Sequence, residues 1–380
     1  VKHIAVMPLV GLMAAMAAHA QSAVTLYGVL DDGIQYNSNS GGKSQYSMRS
    51  GNQTQSFWGL QGREDLGGGI KAIFKLEGAY DLNTGKLPAN NALFGRQAYV
   101  GLESERYGRL TIGRQYDLNL ESTGPLTAAA RVAGGLGAHA GDVDNLWASY
   151  NATNSIKYFS PSFAGLRFGA MYRLGGVAGD FTNAQAYNFS VTYANGPLQA
   201  AASFVRVNDP GLALYGATTR PVANGSWSNP LTTPIFGGFA SARRLQVATA
   251  GAVYTFGAFS AGFVYSNTRF EDVVGTSSTP LSGTFIFNGY EANATYVVTP
   301  TVTIGAGLDY ESNHDARYST VSLGAKYFFS KATFLYLSSA YMHASGTSSF
   351  GTPAVANNYF VASSSSPNQT TVIIGIRHYF

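Results

Sequence analysis

Cysteine is absent from the 380 residues. That excludes disulfide scaffolds, thiolate metal sites and cysteine nucleophiles. It suits a chain that crosses an oxidising compartment, where a stray thiol mispairs. Charge is scarce: 12% of residues are Asp, Glu, Lys or Arg, against about 25% in an ordinary soluble chain. Long apolar runs are missing too. Beyond the first twenty residues, no stretch is apolar for the roughly 20 positions that a membrane helix needs. The net charge of +4 comes without a basic cluster, which argues against nucleic-acid binding. There is no Gly-x-Ser-x-Gly elbow, and no paired ligand set around His314 or His343. The expectation is a non-enzyme without cofactor or metal.

What is present is glycine and aromatic residues, with 45 Gly, 24 Tyr and 23 Phe. Mean hydropathy is near zero. Low charge, many aromatics and balanced hydropathy coexist in a membrane barrel, where only every second residue meets lipid. At the start, Lys2 and His3 precede an apolar run from Ile4 to Ala18, and Ala18-His19-Ala20 has the form of a leader cleavage site. Residues 1–20 are therefore expected to be a signal peptide, and residues 21–380 one barrel domain.

The dominant pattern is alternation with a period of two, the mark of strands with two unlike faces. From Thr301 to Glu311, Val302, Ile304, Ala306, Leu308 and Tyr310 share one face; Thr303, Gly305, Gly307, Asp309 and Glu311 share the other. Leu166, Phe168, Ala170 and Tyr172 likewise alternate with Arg167, Gly169, Met171 and Arg173. A wide barrel in lipid turns its apolar face outward and encloses a wet lumen. Connections alternate between short ones, such as 65–69, 105–108 and 195–196, and long ones around 37–53, 82–92, 117–153, 174–185, 208–243, 271–284, 311–316 and 345–368. Counting strands between them gives about sixteen, in an all-β antiparallel transmembrane barrel with short turns on the periplasmic side.

Several segments then carry a resemblance. They are Val24-Thr25-Leu26-Tyr27-Gly28, Trp58-Gly59-Leu60-Gln61-Gly62-Arg63-Glu64-Asp65-Leu66-Gly67, Leu93-Phe94-Gly95-Arg96-Gln97-Ala98-Tyr99-Val100-Gly101-Leu102, Leu110-Thr111-Ile112-Gly113-Arg114-Gln115, Tyr158-Phe159-Ser160-Pro161, and the terminal Arg377-His378-Tyr379-Phe380. Together, and over essentially the whole chain after residue 20, the sequence resembles the general-diffusion porins of Gram-negative bacteria, of the betaproteobacterial type. The resemblance implies an outer-membrane homotrimer in the lipid bilayer beneath lipopolysaccharide. It implies passive, weakly selective passage of ions and small hydrophilic solutes, and a third outer loop folded inward. It also implies that Phe380 is an assembly signal, read by the barrel-assembly machinery through the C-terminal strand.

The third long loop, about Asp117 to Thr153, offers Asp117, Glu121, Asp142 and Asp144 as constriction acids, and its run Ala133–Ala138 consists of small residues except for Leu136. Charges placed at a narrowing set ion preference. Opposite them, the resemblance implies a basic wall, with Arg96 and Arg114 in matched motifs. Both share strand parity with apolar residues, so lumen and trimer interface both remain open for them. Parity places Arg63, Lys71 and Lys75 inward, with Arg167, Arg173 and Lys326 doing likewise. Phe57 and Asn151-Ala152 stand where the family commonly has arginines, which argues for weak selectivity. His139 is expected to be solvated. The competing reading is a substrate-specific outer-membrane channel, whose specificity would rest on three-dimensional placement of the same residue types.

Overall fold

The computed structural model describes residues 23–313 and 315–380; the expected leader and His314 lie outside the described residues. Seventeen hydrogen-bonded segments follow one another: β1 (Ala23–Ser40), β2 (Lys43–Ser50), β3 (Phe57–Asp65), β4 (Ile70–Ala79), β5 (Gln97–Ser104), β6 (Gly108–Gln115), β7 (Ala152–Phe159), β8 (Leu166–Arg173), β9 (Ala186–Asn195), β10 (Leu198–Asn208), β11 (Ala242–Phe256), β12 (Phe259–Val273), β13 (Gly283–Thr299), β14 (Val302–Ser312), β15 (Ala316–Phe328), β16 (Thr333–Gly346) and β17 (Asn368–Tyr379). From β3 onward each pairs antiparallel with its successor. β1 pairs with β17 on one flank, and on the other with β2 above and β3 below. β2 and β3 thus occupy one position, and the sheet closes as a barrel of sixteen. Closure ends on two backbone bonds, Phe380 N–H to the Gly28 carbonyl (3.1 Å) and Gly28 N–H to the Phe380 carbonyl (3.0 Å).

The two faces sort as the alternation requires, with the usual inside and outside reversed. On β14, Ile304, Leu308 and Tyr310 are exposed while Asp309 and Glu311 are buried. Val100, Leu102, Ile112, Leu323, Ile374 and Ile376 continue the exposed apolar surface. Near the short-turn end, exposed Tyr107, Phe163, Phe256, Phe259, Tyr296, Tyr327, Phe329 and Phe380 supply an aromatic belt, as expected at a membrane–water boundary.

Two expected long connections are shorter than expected. Residues 37–53 run as the β1–β2 hairpin, turning at Gly41 and Gly42, and only 51–56 are irregular. The cause of that break is Asp31, fully buried on β1. Its Oδ2 accepts the amides of Gln53 (2.7 Å) and Thr54 (2.9 Å), and its Oδ1 accepts the Tyr336 hydroxyl (2.7 Å). These bonds replace the ladder over six residues. The stretch 311–316 shortens to a three-residue connection, 313–315.

Between β6 and β7 the chain makes a long excursion across the inner face. A short helix, Leu118–Ser122, buries Leu118 against Ala152, Phe159 and Met171. Leu126 then packs on Ala201, Val253 and Val264, and Val132 on the group that holds Phe334, Tyr336 and Ile373. The Gly135 amide reaches the Asn52 carbonyl (2.7 Å), in the break between β2 and β3. Outer connections press on the far side: Ile235 and Phe236, of the 209–241 stretch, share a cluster with Ala140 and Val143. The excursion therefore lies on the wall from β7 round to β17.

Gly324 on β15 shows how close this approach is, because a Cβ there would collide with the backbone carbonyl of Val132. Gly324→Ala is expected to lift the loop from the wall and to lower stability by about 1–3 kcal/mol. A reduced thermal midpoint in detergent, together with an altered single-channel conductance, checks this.

Candidate functional site: the passage beside the third loop

With the loop mounted on β7–β17, three cavities follow the opposite wall. At the short-turn rim a cavity of about 830 Å³ is lined by Arg63, Lys71, Glu103, Arg109 and Arg167. A second, of about 410 Å³, lies deeper and shares Arg63, Glu103 and Arg109 with it, adding Lys75 and Tyr99. Beside the loop a third, of about 280 Å³, is bounded by Arg96 on the wall and by Tyr116, Glu121 and Trp147 on the loop.

Arg96 immediately precedes β5, and its amide still bonds the Glu77 carbonyl (3.2 Å). Strand alternation ends there, and the side chain turns in among lumen-facing groups. Its guanidinium lies over the Phe57 ring (4.3 Å to the centroid) and 5.6 Å from the Tyr116 centroid. Nε is 3.6 Å from the Glu77 carboxylate, and Nη1 donates to Gln55 Oε1 (3.3 Å). The Asn151 side-chain amide donates to the carbonyls of Gly95 (3.2 Å) and Arg96 (3.1 Å). Phe57 and Asn151, at positions where the family commonly has arginines, thus hold Arg96 in place.

Arg114 is different. It stays on the face of Leu110 and Ile112, which are exposed, and its Nε donates to the Gly95 carbonyl (2.6 Å). Alternation holds through Gly113 and Gln115, whose side chain turns inward to Thr111 (2.5 Å). Arg114 is accordingly brought to the outer face and is separated from the basic wall. Arg63 pairs with Glu103 (2.7 Å), and Lys75 lies 3.5 Å from Glu77 and 5.6 Å from the Tyr27 ring centroid. Two basic residues of this wall escaped the sequence reading. Arg109 stands over Phe159 (5.3 Å). Lys157 is buried, with Nζ donating to Glu121 Oε2 (2.8 Å) and to the Tyr116 carbonyl (3.0 Å). The alternation of Ser155, Lys157 and Phe159 with Ile156 and Tyr158 was the available signal.

Of the four loop acids, Glu121 alone keeps appreciable exposure, 24% of its side chain. Asp117 caps the short helix, accepting the Leu120 amide (2.9 Å), and holds the Asn145 side chain (2.9 Å). Asp142 accepts the amides of Trp147 (2.8 Å) and Ser149 (2.9 Å). Burial pushes the Asp117 carboxyl up to about 6, against the pull of the Leu120 and Asn145 donors. Burial and the neighbouring Asp144 charge raise Asp142 as well.

The solvated histidine expected from the sequence is instead buried at 2% exposure. His139 Nδ1 is 2.6 Å from Asp144 Oδ2, and Nε2 is 3.2 Å from Glu291 Oε2 on β13. Asp309 Oδ1 and Glu311 Oε1, on β14, stand 3.7 and 4.0 Å away from the same ring. Burial opposes the imidazolium, but the charges of Asp144 and Asp309 outweigh it and raise its pKa well above the ordinary value. With a carboxylate at hydrogen-bond distance from each nitrogen, the ring ties the loop to β13. His139→Ala would leave Asp144 and Glu291 without that cation, and removing one partner of a buried pair costs about 3–5 kcal/mol. Lowered unfolding temperature and new protease sensitivity within 116–151 are the expected readouts.

Residues 5–347 match the model of the Gram-negative porin family. The chain is 30% identical over 386 residues to outer membrane porin protein 32 of Delftia acidovorans, covering 97% of each protein. It is 35% identical over 219 residues to an outer membrane porin protein of Bordetella pertussis, an alignment spanning 50% of this chain and 56% of that one. The fold is similar to that of the anion-selective porin from Comamonas acidovorans, with a TM-score of 0.72 at 23% identity, over 95% of this chain and 100% of that one. A closed sixteen-stranded barrel with an apolar exterior and a charged interior passage, matched along nearly its whole length, belongs to the Gram-negative porin family of outer-membrane diffusion channels.

Proposed function

We propose that this porin is a weakly selective channel for ions and small hydrophilic solutes, whose path runs along β3–β7 and narrows between Arg96 and the loop that carries Glu121. The observation that carries this reading is the pairing of basic and acidic groups along one wall. Arg96 stands with Glu77, Arg63 with Glu103, and Lys157 with Glu121, while Lys71, Arg109 and Arg167 line the rim cavity with Glu105 and Asp65. Paired charges leave a modest positive excess, and that favours anions weakly. The anion-selective porin from Comamonas acidovorans has the same sign of preference. Arg63, Lys71, Lys75 and Arg96 are the wall residues of this reading, and Glu121 is the loop acid that faces them.

The working unit is proposed to be a homotrimer; a related fold, OmpT of Vibrio cholerae, is described in trimer form. Phe380, whose backbone closes the barrel against Gly28, is proposed as the feature read during assembly. The test is single-channel recording in a planar bilayer under a salt gradient. Conductance steps in threes, linear with voltage, and a small reversal potential on the anion side are expected. Arg96→Gln combined with Lys75→Gln should move that potential toward cations. Near-exclusive anion passage refutes weak selectivity, and single steps blocked by one class of solute favour a substrate-specific channel.

A further inference from the structure

The acids around His139 outnumber the cations available to them. Asp142, Asp144, Glu291, Asp309 and Glu311 are all buried. Among the described residues, no lysine or arginine forms an ion pair with any of them; the pairs they make are with His139. Three of the five are satisfied. Asp142 has two loop amides, Asp144 has the His139 ring, and Glu291 has the Ala128 amide (2.8 Å), the Asn293 side chain (2.5 Å) and the ring. The other two are not: both carboxylate oxygens of Asp309 and both of Glu311 are buried and meet no hydrogen-bond donor. Glu311 is fully buried and Asp309 is 8% exposed. An isolated buried carboxylate carries a desolvation penalty that demands a proton, a donor or a metal ion.

We propose that this pocket between the third loop and β14 is a binding site for one hard divalent cation, Ca²⁺, held by Glu311 from the wall and by Asp144 from the loop, with the Asp309 carboxylate beside them. The geometry brings Asp144 and Glu311 together on the Nδ1 side of the His139 ring, with Asp309 beside its Nε2. Asp309 and Glu311 are two apart on one strand, so they project to the same side about 7 Å apart along it. Ligand atoms of Asp144, Glu311 and His139 lie within 4.8 Å of one another. The imidazole is not the free ligand, because both of its nitrogens already face carboxylates at hydrogen-bond distance. What remains is an all-oxygen set, which suits Ca²⁺ rather than a softer transition metal. The site also spans two elements. Asp144 reaches it only when the loop is docked, so an ion held there favours the docked loop by mass action.

The experiment uses the full trimeric protein, folded in detergent free of lipopolysaccharide, because that lipid binds divalent ions itself. The protein is loaded with CaCl₂, desalted, and its calcium measured by elemental analysis. About one Ca²⁺ per protomer is expected, and EGTA should lower the thermal midpoint. The Asp309→Asn/Glu311→Gln variant should retain no calcium and show no response to EGTA. Wild-type protein that keeps less than about 0.2 Ca²⁺ per protomer overturns the proposal, whether or not the variant folds. Equal calcium in both proteins overturns it too, by placing the ion elsewhere.

Discussion

In a hydrocarbon layer no water satisfies a backbone amide or carbonyl, so a sheet that crosses it has no tolerable edge. The structure follows from that constraint. β1 must meet β17, and it does so from Val29 to Asn37, with Gly28 and Phe380 finishing the seam. Closure with alternating side chains then dictates which residues meet lipid and which meet the lumen. It also leaves a tube too wide to be filled by the side chains of its own wall. The third loop is the answer to that width. It brings apolar residues such as Leu118, Leu126 and Val132 to an inner surface that accepts them only where the wall supplies apolar partners.

The loop and the wall are joined by two kinds of contact with different roles. Apolar packing and glycine close approach set how near the loop can lie. Buried polar groups set where along the barrel it lies, because His139 and Ala128 have their acceptor at Glu291 and Gly135 has its acceptor at Asn52. The Asp31 knot belongs to the second kind: by interrupting the β1 ladder partner it frees a carbonyl to receive the loop. The half of the barrel that carries these attachments is a mount. The other half, from β3 to β6, carries fewer of them and is the surface along which the proposed path runs.

Much of this was legible in the chain. The period of two gave each strand its faces, and β14 shows why it worked: every residue from Val302 to Glu311 has one of two environments. Reading failed where a residue's environment is set by something other than its own strand. Arg96 breaks parity because the ladder ends one residue after it, at Gln97. His139 looked like a loop histidine because its strand partner Glu291 is 152 residues away. Asp142 and Asp144 carry charge in the sequence but are consumed by loop amides and a ring in the fold. Local pattern reports the face of a strand well, and the partner of a loop hardly at all.

The position of Arg96 has a consequence for how a solute meets the passage. A guanidinium on a free side chain wanders among rotamers, and its field fluctuates as it does so. This one is flanked by the rings of Phe57 and Tyr116, tied to Glu77, and set on a backbone whose carbonyls are held by Asn151. These contacts restrict its rotamers. On the proposed path the barrier there would be that of an aperture with a fixed potential, and transit would not wait for a side chain to move.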